Sequence, residues 1–154
     1  MPDFKIRRAT VKDMDVLVAH RRSMFEEMAR LTPEKRRDAA ASYREWAKEM
    51  IKQRLYHGYI VESAGGKVAA SGCVWLRQVQ PSRGHPASLV PYVMSMYTDP
   101  KFRRKGLASM IIKEAMAWAK KKGYGEMTLH ASKVGRKVYS QLGWERTWEM
   151  EVDL

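Results

Sequence analysis

The chain has 154 residues, of which 45% are hydrophobic and 30% are charged, and it carries a formal net charge of +12 at pH 7. This length and composition predict one globular domain spanning residues 1–154. The single cysteine, Cys73, excludes an internal disulfide and a multi-cysteine metal site and favours a reducing, cytoplasmic location. No apolar run approaches the length of a membrane span.

The excess of positive charge predicts a polyanionic partner, which would be either a nucleic acid or a phosphorylated small molecule. A basic nucleic-acid-binding module is therefore one function to weigh. Against it, the sequence contains no helix-turn-helix, zinc-finger or aromatic RNA-binding signature, so a nucleic-acid partner is the less favoured of the two.

The N-terminal third predicts a strand followed by two helices. Residues 4–7 alternate apolar and polar side chains, as in a half-buried strand. Thr10 and Asp13 have the spacing of a capping box, which starts the first helix. Thr32 and Pro33 start a second helix, predicted to run to residue 55, with one apolar and one strongly basic face.

Two carboxylates, Glu26 and Glu27, fall near the end of the first predicted helix, where the helix dipole disfavours negative charge. They are candidates for attracting a cationic substrate. The alternative is ordinary surface charge on an amphipathic helix.

A hairpin follows, with strands at residues 59–63 and 68–76 joined by a turn at Gly65 and Gly66. Gly72 predicts a bulge or bend in the second of these strands. Cys73 has no basic neighbour in sequence and is predicted to be a small core residue. Residues 80–91 contain three prolines and His85 and are predicted to form a loop beside a binding site.

The central stretch predicts a strand at residues 92–98, a basic loop containing a glycine, and a long helix. The helix presents Leu107, Ile111, Ala115 and Trp118 on one face and ends at Gly123. The first amides of a helix have no partner within the helix, and its dipole is positive there, so this helix start favours phosphate. A solvated basic loop is the alternative interpretation.

The remaining residues predict a strand at 126–131, a helix at 133–142 with Val134, Val138 and Leu142 facing inward, and a last strand at 144–152. The whole order is β-α-α-β-β-β-α-β-α-β. This order is typical of the α/β class and predicts a mixed sheet with a right-handed β-α-β crossover at its centre.

Two segments together resemble the GNAT-type N-acetyltransferase superfamily. Segment 96–108 is similar to the acetyl-CoA signature Gln/Arg-x-x-Gly-x-Gly/Ala at Arg103, Gly106 and Ala108. Segment 131–144 is similar to the family's closing helix, in which a tyrosine, here Tyr139, precedes Leu-Gly-Phe, with Trp144 in place of the phenylalanine. The element order also fits the GNAT fold over nearly the whole chain.

The resemblance implies a set of contacts with acetyl-CoA as co-substrate, and it implies no metal. The diphosphate would lie on the backbone amides of the signature loop, and the pantetheine arm would lie along the preceding strand. Ser132 stands where the family often has an asparagine and would supply a shorter hydrogen-bonding group. The implied contact residues are Met96, Tyr97, Thr98, Arg103, Arg104, Lys105, Gly106, Leu107, Ala108 and Ser132.

The resemblance also implies that Tyr139 is the general acid that protonates the departing CoA thiolate. Without the resemblance, Tyr139 would be interpreted as a core residue of an amphipathic helix. The general base stays open, because the central strand offers Ser95 and no carboxylate. The candidates elsewhere are Glu26, Glu27, His85, His130 and a chain of water molecules. The backbone N–H of Met96 would be the oxyanion donor.

The sequence therefore predicts an acetyl-CoA-dependent N-acetyltransferase in which an amine attacks directly in a ternary complex. The acceptor would be a small-molecule amine or a peptide amine, and homodimers are common in the family. A GNAT-fold protein that binds CoA without turnover is a further alternative, because the strand carboxylate is missing.

Overall fold

The computed structural model describes residues 3–28, 33–82 and 88–154, and these form five strands and four helices. Two single turns of 3-10 helix lie at Val11–Asp13, directly before the first helix, and at Pro100–Phe102, before the third helix. In chain order the elements are β1 (Lys5–Arg8), α1 (Met14–Glu27), α2 (Pro33–Lys52), β2 (Tyr56–Glu62), β3 (Val68–Gln78), β4 (Leu89–Thr98), α3 (Leu107–Lys121), β5 (Thr128–Leu129) and α4 (Arg136–Gln141).

The strands form one mixed sheet in the order β1-β2-β3-β4-β5. The first four strands pair antiparallel, and β4 and β5 pair parallel through the crossover helix α3. The predicted mixed sheet and central β-α-β unit are thereby confirmed. No helix among the described residues is long and apolar enough to cross a membrane.

A capping box fixes the entry to α1, as the sequence predicts. The Thr10 side chain accepts a hydrogen bond from the Lys12 N–H, and Asp13 accepts one from the Thr10 N–H at 2.8 Å. Asp13 also forms a two-pronged ion pair with Arg7, which in turn reaches Glu62 on β2. The cap therefore ties the start of α1 to two strands of the sheet.

The sheet separates two apolar layers. On one face it packs against α3, whose predicted inner residues Leu107, Ile111 and Ala115 are all buried. On the other face it packs against α1 and α2. The residues of this second layer include Met14, Leu17, Tyr43, Ala47, Tyr56, Ile60 and Cys73. Burial on both faces explains why β2 and β3 are apolar along most of their length.

The predicted last strand at 144–152 is wrong. These residues pair with no strand among the described residues, and Trp148 and Met150 are 96% and 93% exposed. The alternation of side chains decides which face a strand would bury, but it does not supply a neighbouring strand to pair with. Gly143, just after α4, has a φ of 88°, and residues 145–154 beyond it are all exposed.

Other boundaries also differ from those predicted. Helix α4 begins only at Arg136, so Val134 lies in the turn before it and is 88% exposed instead of facing inward. Strand β5 covers two of the six predicted residues, because β4 and β5 diverge beyond them. The predicted cap Thr32 and the loop residue His85 lie outside the described residues.

The Asp13–Arg7 pair generates a stability prediction. Hydrogen bonding from Arg7 lowers the pKa of Asp13 from 3.8 to about 2. A depressed carboxyl pKa contributes stability above its unfolded value and loses this contribution as the pH falls from about 4 to about 2. We expect Asp13→Asn to lower the free energy of unfolding at pH 7 by about 1 kcal/mol, since Arg7 is partly exposed to screening water.

The measurement is urea denaturation at pH 7 and at pH 3. The difference between wild type and Asp13→Asn should shrink at the lower pH. Asp15→Asn is the matched control, because Asp15 pairs with Arg44 but is 91% exposed. A loss for Asp13→Asn that is the same at both pH values would contradict the assigned role of its charge.

Candidate active site

The site is built around an irregularity in the central strand β4. Cys73 pairs with Met94 and Ser71 pairs with Tyr97, so one residue of β3, Gly72, faces two residues of β4. The extra residue is accommodated at Ser95, whose φ of 56° is unusual for a side chain other than glycine. The predicted bulge at Gly72 is confirmed, although the residue that is inserted lies on β4.

Gly72 is required for this arrangement by close packing. A Cβ at this position would overlap the Met96 sulfur and would lie 3.1 Å from Ile111 Cγ2 on α3. The absence of a side chain at Gly72 therefore lets Met96 point toward α3 while the bulge turns the backbone of β4.

Beyond the bulge, β4 and β5 separate. They pair only at Tyr92–Thr128 and Val93–Leu129, and no described strand continues the pairing along the rest of β4. The β4 backbone from Met94 onward therefore faces an opening on that side. An extended ligand could pair with this backbone as an added strand does, and Met96 and Thr98, for which such contacts are predicted, lie on this stretch.

The opening leads to the start of α3. Arg104 has a φ of 61° and Gly106 a φ of 75°, and α3 begins directly afterwards at Leu107. The first helical turn closes with a bond from the Met110 N–H to the Gly106 carbonyl, so the amides before Met110 have no partner within the helix. A Cβ built at Gly106 would meet no atom within 4 Å, so the space above the loop is open.

The side chain of Arg103 makes contacts within the protein that hold the loop in place. Its guanidinium forms an ion pair with Glu27 at the end of α1 and donates to the Thr98 carbonyl at 3.0 Å. The Tyr97 hydroxyl also lies 3.5 Å from Glu27. Glu27 therefore holds the signature loop against α1, and the Glu27 hydrogen bond raises the pKa of Arg103.

The remaining cations of the loop lie closer to its open side. Lys105 Nζ lies over the rings of Phe4 and Phe102 at 5.8 and 5.7 Å. Arg104 is exposed. Of the three predicted cationic side chains, Arg103 is neutralised by Glu27, so Arg104 and Lys105 supply the net positive charge beside the helix start.

Tyr139 lies on α4, half-buried against the α3 side of the sheet, with its ring centroid 6.1 Å from that of Trp144. Burial raises the pKa of Tyr139, so its phenol is protonated at neutral pH. The Ser132 hydroxyl accepts a hydrogen bond from the Gly135 N–H at 3.0 Å and so fixes the turn before α4. A Cβ at Gly135 would lie 2.9 Å from the Tyr139 ring, so this glycine lets the ring pack onto the turn.

One residue near the site was not singled out from the sequence. His20 of α1 is buried, its Nδ1 lies 2.8 Å from the Ser71 hydroxyl, and its ring packs on Tyr97 with centroids 4.9 Å apart. Burial lowers the pKa of His20, which favours the neutral ring. The sequence gave no signal that α1 crosses β4 at Tyr97.

A second set of buried side chains contacts the bulge from the face of the sheet opposite to Met96. The hydroxyls of Tyr43 and Tyr56 lie 2.8 Å apart, and Tyr43 also hydrogen-bonds to the Ser95 side chain. Burial raises the pKa of Tyr43 to about 12, so both phenols are neutral and act as hydrogen-bonding groups that hold the bulge. Burial likewise raises the pKa of Cys73, in keeping with its predicted core position.

The predicted base candidates are dispersed. Glu27 is paired with Arg103, and His130 is exposed just after β5. His85 lies outside the described residues, and Glu26 is exposed on the last turn of α1. Across residues 3–28, 33–82 and 88–154, no group of three His, Cys, Asp or Glu side chains could hold a metal ion.

Comparison with known proteins defines the class. The model of the acetyltransferase (GNAT) family matches residues 21–144, so the chain belongs to this family and is by class an N-acetyltransferase. No curated protein sequence matches the chain.

Solved structures share the fold over nearly the full length of the chain. A GCN5-related N-acetyltransferase from Ralstonia eutropha is 25% identical, with 99% of each chain covered and a TM-score of 0.88. A predicted acetyltransferase from Clostridium acetobutylicum, solved with acetyl-CoA, is 23% identical, with 98% of this chain and 96% of that chain covered and a TM-score of 0.87. The aminoglycoside N-acetyltransferase AAC(6')-Iy, in complex with a bisubstrate analogue, is 22% identical over 99% of this chain and 97% of that chain, with a TM-score of 0.71.

The packing at Gly72 gives a prediction for the bulge. We expect Gly72→Ala to lower the free energy of unfolding by about 1–3 kcal/mol, because the added methyl group must displace Met96 or α3. Gly65→Ala is the matched control, since a Cβ at Gly65 meets no atom within 4 Å. Thermal denaturation of both variants measures the effect, and equal melting temperatures would contradict the close packing.

Proposed function

We propose that this N-acetyltransferase moves an acetyl group from acetyl-CoA to an amine that attacks directly in a ternary complex, with Tyr139 as the general acid. The observation that carries the proposal is that the unpaired edge of β4 runs toward the unpaired amides at the start of α3. One continuous surface of free backbone groups can then take both the extended arm and the diphosphate of one ligand.

The chain's residues fit the diphosphate of acetyl-CoA at residues 103–108. Gly106 leaves open space and Ala108 adds only a methyl group, so phosphate oxygens can approach the backbone amides closely. Arg104 and Lys105 add positive charge that the Glu27 ion pair does not cancel. Leu107 is buried beneath the loop and holds the helix start in place.

The central strand would bind the pantetheine arm and orient the acetyl group. Met96 lies in the bulged part of β4, and its N–H is our candidate donor to the carbonyl oxygen as negative charge develops there. Tyr97 is held from the other side of the sheet by His20 and Arg103. The Thr98 carbonyl already accepts from Arg103, so its second lone pair is the one left for the ligand.

Acetyl-CoA supplies an activated acyl group whose thiolate must receive a proton as it leaves. Tyr139 suits this role because its raised pKa keeps the phenol protonated, so that it can donate its proton to the departing thiolate. Ser132 and Gly135 position the turn on which the Tyr139 ring packs. Cys73 takes no part in the proposal, because its thiol is buried and its pKa is raised.

For the acceptor we propose a small-molecule amine or a peptide amine. The relative AAC(6')-Iy carries the name of an aminoglycoside N-acetyltransferase, which places small polycationic amines in the first test panel. Glu26 on the last turn of α1 supports a cationic acceptor. The lone buried thiol fits a cytoplasmic enzyme.

A CoA-binding protein without turnover is the second candidate, and one observation favours it. The bulged segment of β4 presents Ser95, which is hydrogen-bonded to Tyr43, and no carboxylate. A thiol-release assay over a panel of amines separates the two functions. Acetyl-CoA binding without release of CoA thiol in the presence of any of the amines would support the CoA-binding protein without turnover. A basic nucleic-acid module would instead bind DNA with steep salt dependence and show no affinity for acetyl-CoA.

A substitution at Gly106 tests the loop. We expect Gly106→Glu to abolish acetyl-CoA binding, because the carboxylate would project into the open space above the amides and repel the diphosphate. Isothermal titration calorimetry measures the affinity. Gly123→Glu is the matched control at the other end of α3, since Gly123 has a similar φ of 86° and a Cβ there also meets no atom within 4 Å.

The control variant should bind acetyl-CoA as the wild type does while carrying the same backbone strain. Unchanged affinity in Gly106→Glu would remove the signature loop from the binding site.

A substitution at Tyr139 tests the general acid. We expect Tyr139→Phe to lower kcat by about 100-fold or more while the affinity for acetyl-CoA changes little, because only the proton donor is lost. Steady-state thiol release and calorimetry give the two quantities. Tyr124→Phe is the control, since Tyr124 packs on Trp118 at the far end of α3. Wild-type kcat in Tyr139→Phe would exclude the assigned role.

A further inference from the structure

An arginine on α1 lies half-buried among aromatic side chains with no carboxylate to neutralise it. The Arg21 guanidinium lies over the ring of Phe25, one turn further along α1, with its Cζ 4.6 Å from the ring centroid. It also lies over the ring of Tyr43 on α2, at 4.3 Å. Burial lowers the pKa of Arg21, and only the Tyr43 and Tyr56 hydroxyls oppose this shift. The charge of Arg21 is therefore poorly compensated.

Arginines elsewhere around the sheet are neutralised. Arg7, Arg44 and Arg103 each form an ion pair with a carboxylate, whereas Arg21 forms no ion pair with any residue that the structure describes. Removal of a cation from water costs free energy that an anion normally offsets, and cation–π contacts offset only part of it. An unpaired, half-buried guanidinium is therefore typical of a site that receives an anionic ligand.

A groove between α1 and α2 lies beside this guanidinium. It has about 250 Å³ of free space and is lined by Arg21, Arg22, Phe25 and Tyr43, together with three aliphatic side chains. The lining includes two cations and no carboxylate. The space is smaller than the roughly 300–1,000 Å³ of pockets that enclose drug-sized ligands, so it suits one end of a small molecule.

Tyr43 joins the groove to the candidate active site. The ring that contacts the Arg21 guanidinium carries the hydroxyl that hydrogen-bonds to Ser95 in the β4 bulge. Ser95 directly precedes Met96, whose N–H is the proposed donor to the acetyl carbonyl oxygen. A single side chain therefore separates the guanidinium from the segment that is proposed to hold the acetyl group.

We propose that Arg21 determines acceptor specificity by binding an acidic group, a carboxylate or a phosphate, of an acceptor whose amine reaches the β4 bulge. The inference rests on the proposed acetyl transfer and narrows its acceptor to amines that also carry an anionic group. A guanidinium presents its N–H donors in a fork that matches two oxygens of either group. Anchoring the acidic end would orient the amine for attack.

The charge of the protein agrees with such an acceptor. A net charge of +12 attracts anionic molecules and raises their rate of encounter with the groove. The acceptor still carries an ammonium group, so attraction of that end by Glu26 is compatible with the proposal. Amines that carry only positive charge would leave Arg21 unpaired and are expected to be poorer acceptors.

Matched pairs of acceptors test the acidic group in the thiol-release assay. The pairs are γ-aminobutyrate with putrescine, phosphoethanolamine with ethanolamine, and α-amino acids with their amides. The acidic member of the better pair should have a kcat/KM at least about 10-fold higher, the worth of one charged hydrogen bond. The first and third pairs report on a carboxylate and the second on a phosphate. Equal or better turnover of the neutral or cationic members would overturn the proposal.

Substitutions of Arg21 test its role as a specificity residue. Arg21→Met should raise KM for the acidic acceptor by about 10- to 100-fold while kcat and acetyl-CoA affinity change little. Arg21→Lys keeps the charge without the fork and should fall between this variant and the wild type. Arg44→Met is the matched control, because Arg44 pairs with the exposed Asp15 and does not line the groove.

The melting temperature distinguishes recognition from a structural role. That of Arg21→Met should change little, because lost cation–π contacts are offset by removal of an unpaired charge. A lower melting temperature with unchanged acceptor preference would show that Arg21 only supports the packing of α1 on α2.

NMR of arginine side chains in the wild type tests the anion site without turnover. The Nε–Hε signal of Arg21, assigned by its loss in Arg21→Met or Arg21→Lys, is followed during titration with acetate or inorganic phosphate. The ionic strength is held constant, and saturating CoA occupies the signature loop. The Arg21 signal should shift saturably while that of Arg44 does not.

The outcomes separate this inference from the proposed function. An Arg21 signal that does not respond to either anion would overturn the site, whatever the turnover. A saturable response without thiol release from any amine would overturn the acceptor assignment together with acetyl transfer, and would leave an anion site on a protein without turnover. Thiol release without acceptor preference for an acidic group would leave the transferase and remove only the role of Arg21.

Discussion

The separation of β4 from β5 is the constraint on which the rest of the site depends. A parallel pair that continued along β4 would satisfy its backbone and leave nothing for a ligand to bind. Here the pairing stops at Val93 and Leu129, and the bulge at Ser95 then turns the strand. The opened strand runs into the start of α3, so two kinds of unsatisfied backbone group lie along one path.

The surrounding packing holds that opening in place. Gly72 on β3 lets Met96 enter the α3 layer, while the Tyr43 and Tyr56 hydroxyls support the bulge from the α1 and α2 layer. Arg103 then joins the end of β4 to α1 through Glu27. Because Arg103 and Glu27 pair with each other, ligand recognition in the loop is left to the backbone amides, Arg104 and Lys105.

The sequence by itself determined the family, the order of the elements, the helix start at Gly106 and the capping box at Thr10, because these depend on local backbone preferences and on hydrophobic periodicity. Only the tertiary structure decided where α1 crosses β4, and hence that His20 packs on Tyr97 and that Glu27 pairs with Arg103, since such contacts join residues more than seventy positions apart. The tertiary structure also left segment 144–152 unpaired, because a strand exists only when another backbone lies beside it.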